Sequence, residues 1–477
     1  MSFHACGTTS GNGNSVKLFI IAFSSSTMFF MPELYIMADK SISDLCPEMV
    51  IMIITFLSLP DAMNLCSLCR SWHHLWSHCR IIELDETSFP TYGDGELVVR
   101  SRFIEYVKRV ISRLDAPTLS KFSLRVGYEP QYHKLIEDWI WFATVRKVEE
   151  LNLDFSVGTF IMPEFFSRLG GSIKFLILKS CYLVKLDFQS FVSLSKVSFS
   201  RIEISMTDVL NLVTNCPLLE DFSLVQCSGL LTVILKLPRM KLKRLVVKDC
   251  EPLSLGIELT VPNLRYFEYS GGLVRFDLRH LDRIEEAILD YDIEIYFNYQ
   301  ILEIKHLIRG LKQVRILKLC SYVYKVFPTE YHFFHEPPVQ LENLVHLTVK
   351  TCMESYELPG IMCFLACAPN LRYLSIISGF TRSIDDFLYF NFPLMPDGFW
   401  MPPKWPLNCL EMVEMMAFSA DNYEMDLLKF LLRNGVVLQK VIIKPKQASE
   451  KNFQAILGLQ NVEKASETVQ IVYESMS

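Results

Sequence analysis

Pro262-Asn263-Leu264-Arg265-Tyr266-Phe267 returns, 107 residues further on, as Pro369-Asn370-Leu371-Arg372-Tyr373-Leu374. Each copy runs on into a Ser-Gly pair, Ser270-Gly271 and Ser378-Gly379. Cys216-Pro217-Leu218-Leu219 is a looser version. Inside each phrase lies a simpler pattern: an apolar residue, two others, an apolar residue, one other, an apolar residue. It opens thirteen times, at Leu119, Val148, Ile173, Leu194, Leu219, Leu242, Leu264, Ile284, Val314, Leu344, Leu371, Leu410 and Leu438, with gaps of 20 to 39 residues. In a chain that is 50% hydrophobic, three apolar positions coincide by chance about one time in eight. The bare pattern is therefore weak evidence, and the repeated phrase carries the weight.

Alternate apolar residues describe a short strand with one buried face. One such strand cannot hide that face alone, so a unit recurring every 20 to 50 residues implies stacking into a curved solenoid. An ordinary α/β domain would also have apolar parallel strands, but not repeated phrases. Cys181, Cys227, Cys250 and Cys352 each fall three residues after the last apolar residue of their pattern. Leucine-rich repeats place Asn or Cys there, where a small group meets backbone at a tight turn. These features resemble the irregular leucine-rich repeats of plant F-box proteins over roughly 115–400. Side chains between the inward ones should line the concave sheet, where solenoids bind partners. The candidates for target binding are Asn152, Asp154, Lys179, Lys248, Glu268, Lys318 and Lys350, with Ser198, Ser223, Thr348, Ser375 and Glu414 beside them.

Upstream, Ser43 or Asp44 can cap a helix with Pro47 and Glu48 in its first turn. The run Met49-Val50-Ile51-Met52-Ile53-Ile54-Thr55-Phe56-Leu57 is apolar on every side yet too short for a bilayer. It needs cover from its own domain and from a partner. Asp61 can open a second helix carrying Leu65, Leu68, Trp72, Leu75 and Trp76 at 3/4 spacing. Ser43-Asp44-Leu45-Cys46-Pro47-Glu48, Ile54-Thr55-Phe56-Leu57, Asp61-Ala62, Leu68, Arg70, Trp72 and Leu75-Trp76 together resemble a plant F-box. One departure is that Cys46 stands where the family usually has proline, and the proline follows one residue later. In that family the motif docks onto the Skp-type adaptor of SCF ubiquitin ligases. The resemblance implies that Leu45, Pro47, Ile54, Leu57, Leu68 and Trp72 form or support the docking face.

Cys66, Cys69, His73, His74, His78 and Cys79 offer a rival in the same segment, a zinc site. The spacing is compressed and no second ligand pair follows, so no metal or cofactor is expected. Two aromatic-rich connections, 320–340 and 383–405, could anchor a partner or pack over the solenoid. The order strand, helix, strand over 405–445 resembles the FBD module that follows the repeats in plant F-box proteins.

The 47 basic and 53 acidic residues, net −6, give no general attraction to nucleic acid or to membranes. The 14 cysteines are scattered, and no Asn-x-Ser/Thr occurs, so a reducing setting, nucleus or cytoplasm, is expected. There is no GxGxxG, phosphate loop, HExxH or GxSxG. The sequence thus predicts an α/β chain in four segments: 1–37, an extension without fixed structure; 38–83, a small helical F-box; 84–404, a leucine-rich-repeat solenoid; 405–477, an FBD-like capping segment. The expected function is non-catalytic: a substrate-recruiting subunit of an SCF-type ligase, joining a Skp-type adaptor, and through it a cullin, to a protein target. A repeat scaffold without ubiquitin transfer is the alternative.

Overall fold

The computed structural model describes residues 45–474, except 92–94, 157–159, 184–186, 237, 251–252, 273, 279, 292–303, 305, 327–336, 338, 355–356, 380–404 and 448, together with two N-terminal strands. Those two, Ser2–Cys6 and Phe19–Phe23, pair antiparallel. The remainder of the expected 1–37 extension lies outside the described residues. The chain divides into two compact units, Met1–Gly158 and Thr159–Ser477.

The first unit opens with helix α1 (Pro47–Ile54), helix α2 (Leu59–Ser67) and two single 3-10 turns, Arg70–Trp72 and Leu75–His78. Strand β1 (Ile81–Asp85), helix α3 (Glu96–Arg113), strand β2 (Lys121–Arg125), helix α4 (His133–Val145) and strand β3 (Glu150–Asp154) follow. The three strands are parallel neighbours. Helix α3 buries Val99, Phe103, Ile104, Val107 and Val110, the 3/4 stripe of an amphipathic helix.

The second unit repeats the strand twelve times. These are β4 (Phe175–Lys179), β5 (Lys196–Ser200), β6 (Asp221–Val225), β7 (Arg244–Lys248), β8 (Tyr266–Gly271), β9 (Glu286–Tyr291), β10 (Ile316–Leu319), β11 (His346–Lys350), β12 (Tyr373–Ile377), β13 (Met412–Phe418), β14 (Lys440–Pro445) and β15 (Gln470–Tyr473). They lie side by side in that order, every neighbouring pair parallel. Between some of them run helices: α5 (Met206–Asn215), α6 (Leu358–Cys367), α7 (Asn422–Asn434) and α8 (Glu450–Gln460). Elsewhere short strands, Thr232–Lys236, Gly256–Thr260 and Phe276–Asp277, form a separate parallel sheet.

All thirteen sequence patterns coincide with strands β2 to β14. Every one of their apolar positions is at most 4% exposed. Two strands escaped the pattern because their leading residues are not aliphatic. Cys79 heads the Ile82 and Leu84 of β1, and Thr468 heads the Ile471 and Tyr473 of β15.

The repeated phrase has a structural cause. Asn263 Nδ2 donates to the Met240 carbonyl at 2.9 Å, Asn370 Nδ2 to Glu342 at 2.8 Å and Asn343 Nδ2 to Lys312 at 3.4 Å. Each asparagine ties its own unit to the loop of the preceding one. Past the strand the chain turns through a left-handed residue: Ser180, Arg201, Gln226 and Asp249 have φ of 55°, 54°, 53° and 51°. Such backbone costs a non-glycine residue about 1–3 kcal/mol. It persists because each turn N–H donates to the next strand: Ser180 to Ser200, Arg201 to Val225, Gln226 to Lys248 and Asp249 to Ser270, at 2.7–2.9 Å. One residue later the cysteines fill the turn. Cys227 Sγ reaches the Phe199 carbonyl at 3.5 Å, and Cys250 Sγ reaches that of Lys248 at 3.4 Å.

Expectations for the two helices are corrected. Cys46, not Ser43 or Asp44, stands at the N-cap of α1, with Pro47 inside the first turn. The second helix does not run to Trp76: α2 ends at Ser67 and Cys69 is extended at φ −139°. Its N-cap is Ser58, whose Oγ accepts from Asp61 N at 3.4 Å. The 405–477 segment, read as strand, helix, strand, adds β13, β14 and β15 to the sheet in register.

Because inward and outward positions alternate, neighbours in one strand should differ sharply. Phe222→Ala is expected to cost about 3–5 kcal/mol, and Ser223→Ala about 0.5 kcal/mol or less. Urea unfolding of the two variants against wild type measures this difference.

Candidate functional site

Two surfaces qualify, one in each unit. The first is built on α1 and α2. Val50, Ile54, Leu59, Ala62, Cys66, Trp72 and Leu75 are at most 2% exposed and form the interior of the module. That interior is anchored to the first strand. Ser58 forms a parallel bridge with Ile81. The Cys79 thiol donates to the Leu57 carbonyl at 3.3 Å and the Ile81 carbonyl at 3.2 Å. Burial pushes this thiol up to about 11, so it is held as a neutral donor. Among the described residues no group of three His, Cys, Asp or Glu is placed to hold a metal ion.

With the interior filled, the remaining apolar residues of this module face outward. Met52 and Phe56 are 47% and 48% exposed, one helical turn apart, and Leu68 is 60% exposed at the end of α2. Pro47 is also exposed, and Leu45 and Leu57 are partly so. Of the six residues that the resemblance gives as forming or supporting the docking face, Ile54 and Trp72 are buried at 0% and 1%. Met52 and Phe56 were missed. Their signal was the all-apolar run itself, whose outward side could have been read off from Val50 and Ile54 by 3.6-residue periodicity.

The second surface is the polar face of the sheet. Outward residues stack in columns set by register. The column opening strands β5 to β9 reads Lys196, Asp221, Arg244, Tyr266, Glu286. Opposite charges alternate across neighbouring strands about 4.8 Å apart, and they pair. Lys196 meets Asp221 at 3.2 Å, Arg244 meets Glu268 at 3.6 Å and Lys248 meets Glu268 at 2.9 Å. The Arg244 guanidinium lies 3.6 Å over the Tyr266 ring, and the Tyr266 hydroxyl donates to Glu268 at 2.7 Å. Burial and then Glu268 push the Tyr266 phenol up to about 12. Burial by itself would raise the Glu268 carboxyl, but hydrogen bonds from Tyr266 and Lys248 outweigh it and hold Glu268 below its ordinary value. Further along, Lys350 meets Asp290 at 2.8 Å and Lys444 meets Glu414 at 2.8 Å. His346 Nε2 lies 3.1 Å from Ser375 Oγ, and burial followed by the Lys318 charge lowers its basicity.

Lys179, Lys248, Glu268, Lys318 and Lys350 all occupy this outward face in the second unit, and Asn152 occupies the outward face of β3 in the first. Asp154, at the end of β3, is 6% exposed and lies 3.5 Å from Arg125. The opening column was missed, Lys121, Glu150, Lys196, Asp221, Arg244, Tyr266, Glu286, His346 and Tyr373. The candidates come from between the last two apolar positions of the pattern and from the residue just after them. Extending the alternation one step toward the N-terminus finds the rest. In the aromatic connections, Tyr322 and Tyr324 are buried at 3% and 1%, and Trp405 stacks 5.9 Å from Phe430. Phe327, Tyr331, Phe333, Phe334, Phe387, Tyr389, Phe390, Phe399 and Trp400 lie outside the described residues.

A helical module with an outward apolar patch, joined to a parallel-strand repeat with a polar recognition face, defines a leucine-rich-repeat substrate adaptor of the F-box type. The F-box domain family matches residues 42–84, and the family described as At1g61320/AtMIF1, LRR domain, matches residues 116–471. The chain belongs to this family of plant F-box/leucine-rich-repeat proteins. It is similar to the F-box protein At3g62230 of Arabidopsis thaliana, 24% identical over 84% of this chain and 90% of the relative. The putative F-box/LRR-repeat protein At1g56400 of Arabidopsis thaliana is 25% identical over 83% and 86%. The F-box/FBD/LRR-repeat protein At1g13570 of Arabidopsis thaliana is 24% identical over 84% and 90%.

The lowered Glu268 pKa has a sign. A depressed native value stabilises the fold above the ordinary 4.5 and is lost as pH falls through the lowered value. Glu268→Gln should therefore be less stable than wild type at about pH 7, with the difference in urea midpoint narrowing toward about pH 4.

Proposed function

We propose that this chain is the substrate-recruiting subunit of an SCF-type ubiquitin ligase. The observation that carries the reading is the outward apolar patch of Met52, Phe56 and Leu68 on a module whose interior is already complete. Apolar side chains left in water on a packed module mark an interface. The family's F-box binds Skp-type adaptors, and this patch is where the adaptor docks. Pro47, Leu45 and Leu57 extend it, while Ile54 and Trp72 hold α1 and the turns in place. A target protein binds the polar face of the sheet through Arg244, Tyr266, Glu268, Lys248, Lys318 and Lys350. The ion pairs there fix side-chain positions beforehand, which reduces the ordering cost of binding. The mechanism is proximity: holding a target lysine near a charged conjugating enzyme raises its effective concentration, and no catalytic side chain of this chain is required. Nucleus and cytoplasm are the compartments in which this would operate.

Pull-down with a purified Skp-type adaptor tests the reading. Wild type should bind. Met52→Asp and Leu68→Asp should each weaken binding by more than tenfold, since a buried interface hot spot is worth about 2 kcal/mol or more. Both sites are exposed, so the thermal midpoint should stay near that of wild type. Arg244→Gln should leave adaptor binding unchanged. Absence of binding by wild type would remove the ligase reading in favour of a repeat scaffold.

A further inference from the structure

The second unit ends on an open edge. In the first unit the edge of β1 is met by Ser58. Among the described residues no strand lies beyond β15. In a parallel ladder, alternate residues of a strand bond to one side. Gln470 N–H donates to the Gln439 carbonyl at 2.9 Å, and Glu474 N–H to that of Ile443 at 3.1 Å. Gln470, Val472 and Glu474 thus bond toward β14, and the N–H and C=O of Ile471 and Tyr473 point to the open side. In β14 the inward Val441 and Ile443 are 1% and 0% exposed. Their register partners Ile471 and Tyr473 are not buried, and Tyr473 is 37% exposed. Helix α8, in the same final repeat, buries Ile456 and Leu459 but leaves Phe453 and Leu457 exposed, one turn apart. Solenoid ends need a polar outer face to stay in solution. Edge strands are ordinarily blunted by charge, proline or a bulge. Gln470-Ile471-Val472-Tyr473 has none of these.

We infer that a second copy of this chain covers this edge, its β15 paired antiparallel to the first about a two-fold axis at Val472. A two-fold contact requires a surface that complements itself, and this edge does so in backbone and in side chains. The axis sets Ile471 of each copy opposite Tyr473 of the other. Both residues present N–H and C=O to the open side, so each facing pair exchanges two hydrogen bonds. Their side chains meet as well, a β-branched residue against an aromatic one, which stabilises a cross-strand pair. An axis perpendicular to the sheet keeps the inward sides of the two copies level, so apolar side chains meet apolar ones. On the front, Val472 meets its own copy and Gln470 lies opposite Glu474. The Glu474 carboxylate is already 3.5 Å from Lys444, and the Gln470 amide has N–H groups to donate to it. No like charges are opposed. Each group on the edge thus finds its complement in the same few residues of a second copy, which singles that partner out. The contact uses none of the residues assigned to adaptor or target.

Sedimentation equilibrium of the full chain over a range of concentrations tests the inference. Wild type should show a monomer–dimer equilibrium. Val472→Lys and Val472→Glu each set like charges against each other at the axis. Each should raise the dimer dissociation constant at least about tenfold. Val472 is partly exposed on the front of the strand, so both changes are compatible with the fold. An equimolar mixture of the two variants should dimerise again, because opposite charges then face each other, a rescue that misfolding cannot mimic. Leu255→Lys, at an exposed leucine elsewhere in the unit, should leave the equilibrium unchanged, and so should Met52→Asp. A wild type that stays monomeric overturns the inference. So do Val472 variants that dimerise as wild type does, a mixture that stays monomeric, or an equal loss in Leu255→Lys.

Discussion

A five-residue strand with two apolar side chains on one face cannot hold itself together. Leu245 and Val247 are shielded from water only because flanking strands bring Phe222 and Leu224 on one side and Phe267 and Tyr269 on the other. Everything else follows from that dependence. The strands must be parallel, because each is followed by a return segment across the back. Their register must be held, because a slip of one residue would expose the apolar set and bury the charged one. The asparagine ties and the left-handed turns are the devices that hold it. Each makes a hydrogen bond to a neighbouring repeat: the asparagines ahead of β8, β11 and β12, the left-handed turns after β4 to β7.

The same dependence explains how the helical module joins the repeats in the first unit. A terminal strand has an open edge, which solenoids must cover. Ser58 lies along β1 at Ile81, and Ser77 accepts from Asp115 and Ala116 at 2.9 and 3.2 Å. The Arg80 carbonyl accepts from Ser120 and Lys121 at 2.9 and 3.1 Å, as Glu220 does from Lys243 and Arg244 at 2.8 and 3.0 Å. The module is thus bonded to the sheet by the hydrogen-bond pattern that joins one repeat to the next. Movement of α1 and α2 relative to β1 would break the Ser58–Ile81 bridge and the Cys79 thiol bond to the Leu57 carbonyl.

The repeat was legible because its determinant is local. A strand needs its apolar residues at fixed short spacing, and thirteen strands advertise themselves by it. The ends were harder, since Cys79 takes the buried place of an aliphatic residue ahead of β1, while Thr468, ahead of β15, is exposed. The break after Ser67 was not legible. Leu65, Leu68 and Trp72 keep helical spacing, but tertiary packing decides the geometry: Trp72 turns inward to fill the module while Leu68 is left in water. The polar face was legible by alternation. Its pairing was not, because Lys350 and Asp290 are 60 residues apart and only register brings them together.

The lengths of the return segments vary widely, yet the strands keep one spacing of about 4.8 Å per step. After β4 to β7 the left-handed turns separate the two: each return segment leaves the sheet from the same place. The front of this protein is therefore a fixed-pitch ruler. Substitutions on it can change what is read at one graduation without moving the others. The back can accept insertions that leave every graduation in place, so the two sides are free to diverge at different rates.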